Sequence, residues 1–303
     1  MSDVLLISLG TTRGLRIADS MLVTMLEQAG ARVDSVGVRI GSAGALRRGY
    51  PVNDLVEAVA ARRSVASALA AGGGVRSGPR ALLFSTTTAA MLAHPQGLPY
   101  AVRLDSPAAL NRPGPHNAIV RALERRSLSR ARLVLALGRA GAAALPRNSA
   151  PVEIVPVPIE RNGEPSGARD ARLAVAYVPD PKAKGLARLC AAWARATTPD
   201  RRLEVFGIEP ERARKFLARS GSQPPAGVEF RGLVGVDEFR SRLRAAHAFI
   251  SAARWEDYGQ APLEALSDGV FGRWLNRRVI AMSCSSATSR TPGGSTATGS
   301  SRS

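Results

Sequence analysis

The stretch VLLISLGTTRGLRIADSMLVTMLEQAG, residues 4–30, contains one complete unit of the fold. Its first seven residues form a continuous apolar run that ends in Gly10, which is typical of a strand buried on both faces of a parallel sheet. Apolar residues then recur at helical spacing from Ile17 onward, and the pattern closes on Gly30, a common helix stop. The stretch therefore predicts a strand, a glycine turn and a helix.

The same order of strand and helix repeats along the first half of the chain. Further strands are predicted at 31–39, 80–87, 100–106 and 131–138, with helices at 52–71 and 117–131. A repeating β-α order implies a parallel sheet with helices on both faces. We predict a first Rossmann-like domain over residues 1–160.

Residues 151–170 interrupt the alternation with four prolines and two glycines, a composition typical of an interdomain linker. Strand and helix patterns then resume. Strands are predicted at 172–178, 201–207, 227–232 and 248–254, and helices at 185–196, 210–221 and 236–247. The sequence thus predicts a second doubly wound domain over residues 161–269, in series with the first.

Residues 270–303 break this pattern because they are rich in Ser, Thr and Arg and contain no Asp, Glu or Lys. Such a composition buries too little apolar surface to fold, so we predict a disordered or aberrant tail. The one short apolar piece, residues 279–282, is the only strand expected there. An out-of-frame reading of GC-rich DNA gives this composition, and the sequence predicts a truncated or frameshifted product. The strand ending at Arg254 is then expected to lack neighbours.

The net charge of +18 raises the question of a nucleic-acid partner. Only three of the 42 basic residues are lysines, and the arginines fall mostly on polar helix faces without interleaved aromatic residues for base stacking. We therefore expect no nucleic-acid partner, while peripheral contact with a membrane stays open. Cys190 and Cys284 are too few for a disulfide framework or a zinc site. With no signal peptide and no spanning segment, a cytoplasmic protein is predicted.

A second stretch, WEDYGQAPLEALSDG at 255–269, carries the candidate chemistry. Glu256 follows a predicted strand, at the sheet edge where ligands bind in doubly wound folds. Gly259 permits a tight turn, and Pro262 suits the first turn of a helix. The N-terminus of that helix favours a phosphate, and Glu264, one turn in, can accept hydrogen bonds from a sugar diol. The two carboxylates are predicted to bracket a phosphorylated sugar.

This stretch resembles the E-G-F-G-x-x-x-x-E-A-M motif of the retaining GT-B glycosyltransferases, glycosyltransferase family four and its relatives. The resemblance implies two Rossmann-like domains that face a cleft. It also implies that Glu256 is catalytic beside the donor sugar and that Glu264 holds the nucleotide ribose. The backbone amides around Gly259, Gln260 and Ala261 are expected to face the sugar and the diphosphate.

Two further motifs match the same family. Lys184 and Gly185 stand where relatives carry Lys-Gly at the first helix of the second domain, and Lys182 replaces a second cation. A fixed cation stabilises the charge that develops on the leaving diphosphate. In the first domain, Gly14 lies in a loop similar to the family's first glycine loop. Asp105 occupies the loop in which relatives often place a histidine, and it is expected to be catalytic.

The resemblance implies transfer of a hexose-like sugar from a nucleotide-sugar donor, with retention, to a glycan, lipid or small-molecule acceptor. No metal and no cofactor are expected, because Lys184 and a helix N-terminus neutralise the diphosphate. Two alternatives stay open, a basic nucleic-acid-binding protein and a glycoside hydrolase with paired carboxylates. The sequence names neither the base, the sugar, the acceptor nor the oligomeric state. The predicted truncation also leaves open whether this chain is active.

Overall fold

The computed structural model describes residues 2–46, 49–71, 78–159, 169–196, 200–253, 256 and 258–274. These residues form two parallel sheets with helices packed against them, which confirms the predicted α/β architecture of two Rossmann-like domains. Numbered within each domain in chain order, the six strands of the first sheet lie side by side in the order second, first, third, fourth, fifth, sixth, and the five strands of the second sheet lie in the order fifth, fourth, first, second, third. The predicted boundary at residue 160 lies in a segment outside the described residues.

The first domain contains the five strands predicted from residues 4–138 and a short sixth strand at the start of the proline-rich segment. They are β1 Val4–Ser8, β2 Val33–Gly37, β3 Ala81–Phe84, β4 Tyr100–Leu104, β5 Leu133–Ala136 and β6 Val152–Ile154. Its helices are α1 Arg13–Gln28, α2 Val52–Ala71, α3 Thr87–Ala90, α4 Ala108–Asn111, α5 Ala118–Arg130 and α6 Arg139–Ala143. Short 3-10 helices run over Gly41–Leu46 and Pro115–Asn117.

Helices cover both faces of the first sheet, as the continuous apolar strands require. On one face, Ile7, Phe84 and Val102 pack against α2, α3 and α5 in a single core cluster. On the other face, Leu6 and Leu83 pack against Leu22 of α1. Consecutive residues of β1 thus point to opposite faces, each of which is buried.

The second domain repeats this arrangement. Its strands are β7 Asp170–Tyr177, β8 Arg202–Phe206, β9 Val228–Gly232, β10 Ala246–Ser251 and β11 Phe271–Trp274. Its helices are α7 Leu186–Ala196, α8 Pro210–Arg219, α9 Val236–Ala245 and α10 Gln260–Ser267. Alternate residues of β7 pack toward opposite layers: Ala174 and Ala176 join the cluster under α7 and α8, whereas Leu173 and Val175 join the cluster under α9 and α10.

The second sheet extends further along the chain than the sequence predicts. β11 begins two residues after Gly269 and pairs in parallel with β10, from Ala248 opposite Phe271 to Ser251 opposite Trp274. Strand β10 therefore has β7 on one side and β11 on the other, so the expectation that it lacks neighbours is wrong. Strand β11 was not predicted because its four residues lie at the start of the segment 270–303, whose overall composition is rich in Ser, Thr and Arg. The strand expected at 279–282 lies outside the described residues.

The fold brings the carboxyl ends of both sheets to the region of the candidate site. Gly14 belongs to the first turn of α1, which follows β1, and not to a loop as predicted, whereas Asp105 lies in the loop after β4. Strands β7 and β10 lead into the loops that carry Lys184 and Glu256. Because β7 and β10 are neighbours in the sheet, the two second-domain loops lie side by side. Among the helices of the described residues, none combines the length and the apolar character that crossing a bilayer demands.

Candidate functional site

Helix α10 begins at a backbone turn that only glycine adopts easily. Gly259 has φ +80 and ψ 54, the left-handed conformation, and its carbonyl accepts the hydrogen bond of Leu263 N at 3.1 Å. The first N–H groups of a helix have no partner inside the helix. The amides of Gln260 and Ala261 therefore present hydrogen-bond donors and the positive end of the helix dipole at the edge of the second sheet.

Lys184 and Glu256 form an ion pair across the two loops that follow β7 and β10. The ammonium of Lys184 contacts Oε1 of Glu256, and the Glu256 side chain is only 11% exposed against 25% for that of Lys184. The sequence places these residues 72 positions apart, and the structure brings them together at the start of α10. The pair supplies one fixed cation whose position is set by a nearly buried carboxylate.

The loop that carries Lys184 is held in place by its own backbone and by β10. Asp180 accepts hydrogen bonds from Ala183 N through its side chain and from Lys184 N through its carbonyl, at 2.7 and 2.9 Å. Gly185 has φ +67, and a Cβ at this position would collide with the carbonyl oxygen of Ala252. Arg188 donates a hydrogen bond to that same carbonyl. These contacts fix the Lys184 backbone against the end of β10.

Glu264 lies one turn into α10, beside a buried arginine of α9. Arg240 forms two hydrogen bonds with the carboxylate of Asp268, at 2.8 and 2.6 Å, and its Nη1 lies 3.7 Å from Oε1 of Glu264. Burial raises the pKa of Glu264, with Asp268 adding to the rise and the charge of Arg240 opposing it. Arg240 is a functional candidate that sequence reasoning missed, because a helical arginine is usually an exposed one.

The first domain meets this site at the N-terminus of α1. A Cβ on Gly14 would lie 3.3 Å from Oε1 of Gln260, so the starts of α1 and α10 approach each other across the two domains. Tyr258 crosses the same gap, because its hydroxyl donates a hydrogen bond to the carbonyl of Val157 at 2.9 Å. Burial raises the pKa of Tyr258 to about 12, so the hydroxyl keeps its proton. The sequence motif contained Tyr258 but gave no sign of this contact.

The remaining predicted residues lie at the same edges without joining the ion pair. Asp105 directly follows β4, is half-buried, and accepts a hydrogen bond from Ser106 N at 2.7 Å. The side chain of Lys182 is exposed, and its carbonyl accepts a hydrogen bond from Gly185 N at 3.3 Å. Within the described ranges, His, Cys, Asp and Glu side chains do not gather into a group of three or more that could bind a metal.

Solved structures share this two-domain arrangement. The chain is similar to sucrose-phosphate synthase from Thermosynechococcus elongatus, with a TM-score of 0.69 and 15% identity over 90% of this chain and 81% of that one. It is also similar to Anabaena HepE, solved in complex with UDP-glucose, with a TM-score of 0.60 and 14% identity over 90% and 80% of the two chains.

No protein-family model matches the sequence, and no curated protein sequence matches it. The likeness to both solved structures extends over both sheets of this chain, since it covers nine-tenths of the residues. Those structures have the GT-B fold. The chain has the GT-B fold.

Proposed function

We propose that this chain transfers a sugar from a nucleotide-sugar donor to an acceptor hydroxyl, with retention of configuration. The observation that carries the proposal is the ion pair between Lys184 and Glu256 at the N-terminus of α10, opposite Gly14 of the first domain. The free amides at the start of α10 and the Lys184 ammonium lie close together, and both kinds of group bind the oxygens of a diphosphate. HepE was solved with UDP-glucose and has this fold, so a UDP-sugar is the first donor to test.

In the proposed mechanism, the donor diphosphate binds between the first turns of α1 and α10. Breaking the bond between the anomeric carbon and the phosphate oxygen leaves the electron pair on the diphosphate. The Lys184 ammonium and the amides of Gln260 and Ala261 stabilise that charge, and Gly14 allows the close approach of α1. The exposed Lys182 supplies a second cation when the donor is bound.

The two glutamates then have different tasks. Glu256 holds the Lys184 ammonium and faces the donor sugar, where its charge stabilises the positive character that develops at the anomeric carbon. Glu264 accepts hydrogen bonds from the ribose diol. Asp105, at the matching edge of the first domain, takes the proton of the acceptor hydroxyl as its oxygen bonds to the anomeric carbon. The acceptor class is a glycan, a lipid or a small molecule.

A glycoside hydrolase is the weaker alternative. Such enzymes use two carboxyl groups on either side of one glycosidic bond, one of them acting as an acid. Glu256 is instead paired with Lys184, and Arg240 lies beside Glu264, so each carboxylate has a cation as its neighbour. A nucleic-acid function is also less favoured, because carboxylates lie beside the Lys184 and Arg240 cations of the candidate site, whereas a nucleic-acid groove is lined by positive charge.

Calorimetric titration of UDP, GDP and ADP into the full chain tests the proposal. We expect one nucleotide to bind, and we expect Lys184→Ala to weaken that binding by about 1.5–3 kcal/mol, the usual value of a hydrogen bond to a charged group. Lys215→Ala is the matched control, because Lys215 is an exposed lysine on α8 of the same domain. Equal affinity in Lys184→Ala and Lys215→Ala, or no nucleotide binding at all, contradicts the proposal.

A further inference from the structure

A groove runs along the face of the second sheet that carries α7. Its floor is shallow because Ala248 of β10 lies directly between Ala174 of β7 and Phe271 of β11 in the register of the sheet. The two adjacent alanines leave space that larger side chains would fill, and the groove has a volume of about 490 Å³. Small-molecule sites have volumes of roughly 300–1,000 Å³, so the groove is large enough for an organic ligand.

Apolar side chains form the walls of the groove. Leu189 and Trp193 of α7 lie one helical turn apart, are both buried and line the groove, and the small Ala192 between them lines it too. On β10, Ile250 points toward α7, whereas Phe249 points to the opposite face of the sheet and packs against α9 and α10. The groove therefore presents an apolar surface on both sides of its floor.

One end of the groove is basic. Arg172, Arg201 and His247 line it at the amino ends of β7, β8 and β10. His247 lies at a shift in the register between β10 and β7, so it is not held to the strict alternation of a strand. Arg172 lies 3.3 Å from the carboxylate of Asp200, but in the described part of the chain Arg201 and His247 form no ion pair. These two exposed side chains can therefore bind an anionic group at this end of the groove.

The groove lies at the opposite edge of the second sheet from the candidate donor site. Lys184 and Glu256 follow the carboxyl ends of β7 and β10, whereas the basic end of the groove lies at the amino ends of the same strands. Strand β7 has 8 residues, so about 25 Å separates the two edges. A ligand in the groove is therefore separate from the donor and takes no part in the transfer step.

We propose that this groove binds a medium-chain aliphatic carboxylate. The carboxylate accepts hydrogen bonds from Arg201 and His247, and the alkyl chain lies over Ala174 and Ala248, between α7 and Phe271. An apolar groove with positive charge at one end is complementary to an ion that is charged at one end and apolar along the rest. A sugar or a nucleotide fits less well, because its polar groups would be buried without partners against the alanines. The proposal rests on the second domain alone and does not depend on glycosyl transfer.

Calorimetric titration of decanoate into the full chain tests the class of ligand. We expect decanoate to bind, and octanoate to bind about tenfold more weakly because two fewer CH₂ groups are buried. Decyltrimethylammonium should not bind, since its head group has the wrong sign. Equal affinities for decanoate and decyltrimethylammonium overturn the proposal. The absence of decanoate binding also overturns it, and that is the result expected if residues 275–303 of this chain occupy the groove.

Filling the groove tests its place in the fold. Ala192→Leu adds a large apolar side chain to the wall that α7 forms, so decanoate should bind more than about tenfold more weakly, because the added side chain takes the space of several CH₂ groups. Ala194→Leu is the matched control, since it makes the same change at an exposed position of the same helix, and it should leave the affinity unchanged. Leucine is a good helix former, so both variants should keep α7. Equal decanoate affinities in the two variants contradict the assignment of the groove.

Removal of the basic end tests recognition of the carboxylate. Arg201→Gln/His247→Gln should bind decanoate at least about tenfold more weakly, as expected for the loss of a hydrogen bond to a charged group. Arg195→Gln is the control, because Arg195 is an exposed arginine of α7 that does not line the groove. An unchanged affinity in the double variant shows that the head group is not bound there, and the proposal is then wrong.

Nucleotide calorimetry on the same variants keeps this test separate from that of the proposed function. The substituted positions lie at the far edge of the sheet from the candidate donor site, so nucleotide affinity should stay within about twofold of the wild type. Decanoate binding by a chain that binds no nucleotide supports the groove and contradicts the proposed function alone. Displacement of decanoate by UDP, or equal decanoate binding in every variant, overturns the groove.

Discussion

Each domain contains a buried arginine paired with a buried aspartate, and the two pairs differ in what else the arginine touches. In the first domain, Arg103 contacts Asp19 at 2.5 Å and donates hydrogen bonds to the carbonyls of Ala18 and Ser85 at 2.9 and 3.1 Å. In the second domain, Arg240 binds Asp268 and also lies 3.7 Å from the half-buried Glu264. Both arginines tie helices to the fold, but only the second reaches a residue of the candidate site.

Burial and pairing alone therefore do not identify a functional charge. The Arg103 network joins α1, through Ala18 and Asp19, to Ser85 at the end of β3, and Ser8 at the end of β1 donates a further hydrogen bond to Asp19 at 2.5 Å. Each of these contacts holds the helix on the sheet. Arg240 has the same role for α9 and α10, and its third contact gives it influence over the charge and position of Glu264. Substitutions in the two pairs should therefore separate stability from nucleotide binding.

The largest effect is expected for Arg240→Leu. Removal of one partner leaves Asp268 as an uncompensated buried charge, which costs about 3–5 kcal/mol of the free energy of unfolding. Glu264 also loses its neighbouring cation, so burial favours its protonated form and the folded fraction should bind nucleotide more weakly. Urea unfolding and calorimetry measure the two losses. Nucleotide affinity equal to that of the wild type shows that Arg240 has no role beyond stability.

Arg103→Leu should cause a similar loss of stability without the loss of affinity. The substitution leaves the buried carboxylate of Asp19, which is 5% exposed, without its neighbouring cation. We expect the free energy of unfolding to fall by about 3–5 kcal/mol. Nucleotide affinity of the folded fraction should stay at the wild-type value, because the hydrogen bonds that Arg103 makes within the described residues go to Ala18, Asp19 and Ser85, which are not residues of the candidate site. Arg80→Leu is the control, since its contact with Asp3 is exposed and such pairs contribute at most about 1 kcal/mol. Weakened nucleotide binding in Arg103→Leu contradicts the distinction between the two pairs.

The pH dependence of donor binding gives a smaller effect that tests Glu264 directly. Burial raises the pKa of this carboxyl, so its ionised form, the better acceptor for a ribose diol, is lost as the pH falls through that raised value. Affinity for a nucleotide-sugar should decline there in the wild type, whereas Glu264→Gln should bind more weakly with a flat profile. A nucleotide-sugar is preferred to a free diphosphate, whose terminal phosphate titrates near pH 6.

The sign of the stability effect is opposite to that of the binding effect. The pKa of Glu264 is raised in the folded state. The carboxyl therefore contributes fully to the stability of the folded state below its unfolded-state pKa, and this contribution is lost as the pH rises through the folded-state pKa. Nucleotide binding therefore improves over the pH range in which Glu264 makes folding less favourable. Urea unfolding of the wild type and of Glu264→Gln at several pH values measures this contribution. A wild-type profile that parallels that of Glu264→Gln shows that the Glu264 pKa is not raised.

The smallest effect is expected for Tyr258→Phe, which removes the hydrogen bond to Val157 and keeps the packing of the ring. One hydrogen bond contributes about 0.5–1.5 kcal/mol, and this one joins the two domains. Tyr100→Phe is a matched control, because the Tyr100 hydroxyl donates to the carbonyl of Ser127 within the first domain. We expect a modest loss of nucleotide affinity in Tyr258→Phe and none in Tyr100→Phe, measured by calorimetry. Identical affinities in the two variants show that the contact between domains has no part in binding.

Most strands of the fold could be predicted because buried parallel strands are continuous apolar runs, a signal contained in a few adjacent residues. The turn at Gly259 could also be predicted, because a glycine shortly before Pro262 is an equally local signal. The partners of Arg103 and Arg240 could not, since they lie 84 and 28 positions away and only the folded chain brings them together. The motif match predicted that Lys184 and Glu256 share a site, but their direct contact is a product of the neighbouring positions of β7 and β10. Strand β11 was missed because composition outweighed its four residues.

Hydrogen exchange, followed by mass spectrometry with and without saturating UDP, locates the segments of the chain that bind the donor diphosphate. In the proposed mechanism these segments are the start of α10 and the Lys184 loop of the second domain. We predict slower exchange of backbone amides in residues 180–189 and 258–264, with a lesser effect at 10–16, where α1 meets α10. Slower exchange confined to other segments, or unchanged exchange at 180–189 and 258–264 with UDP bound, would contradict the account.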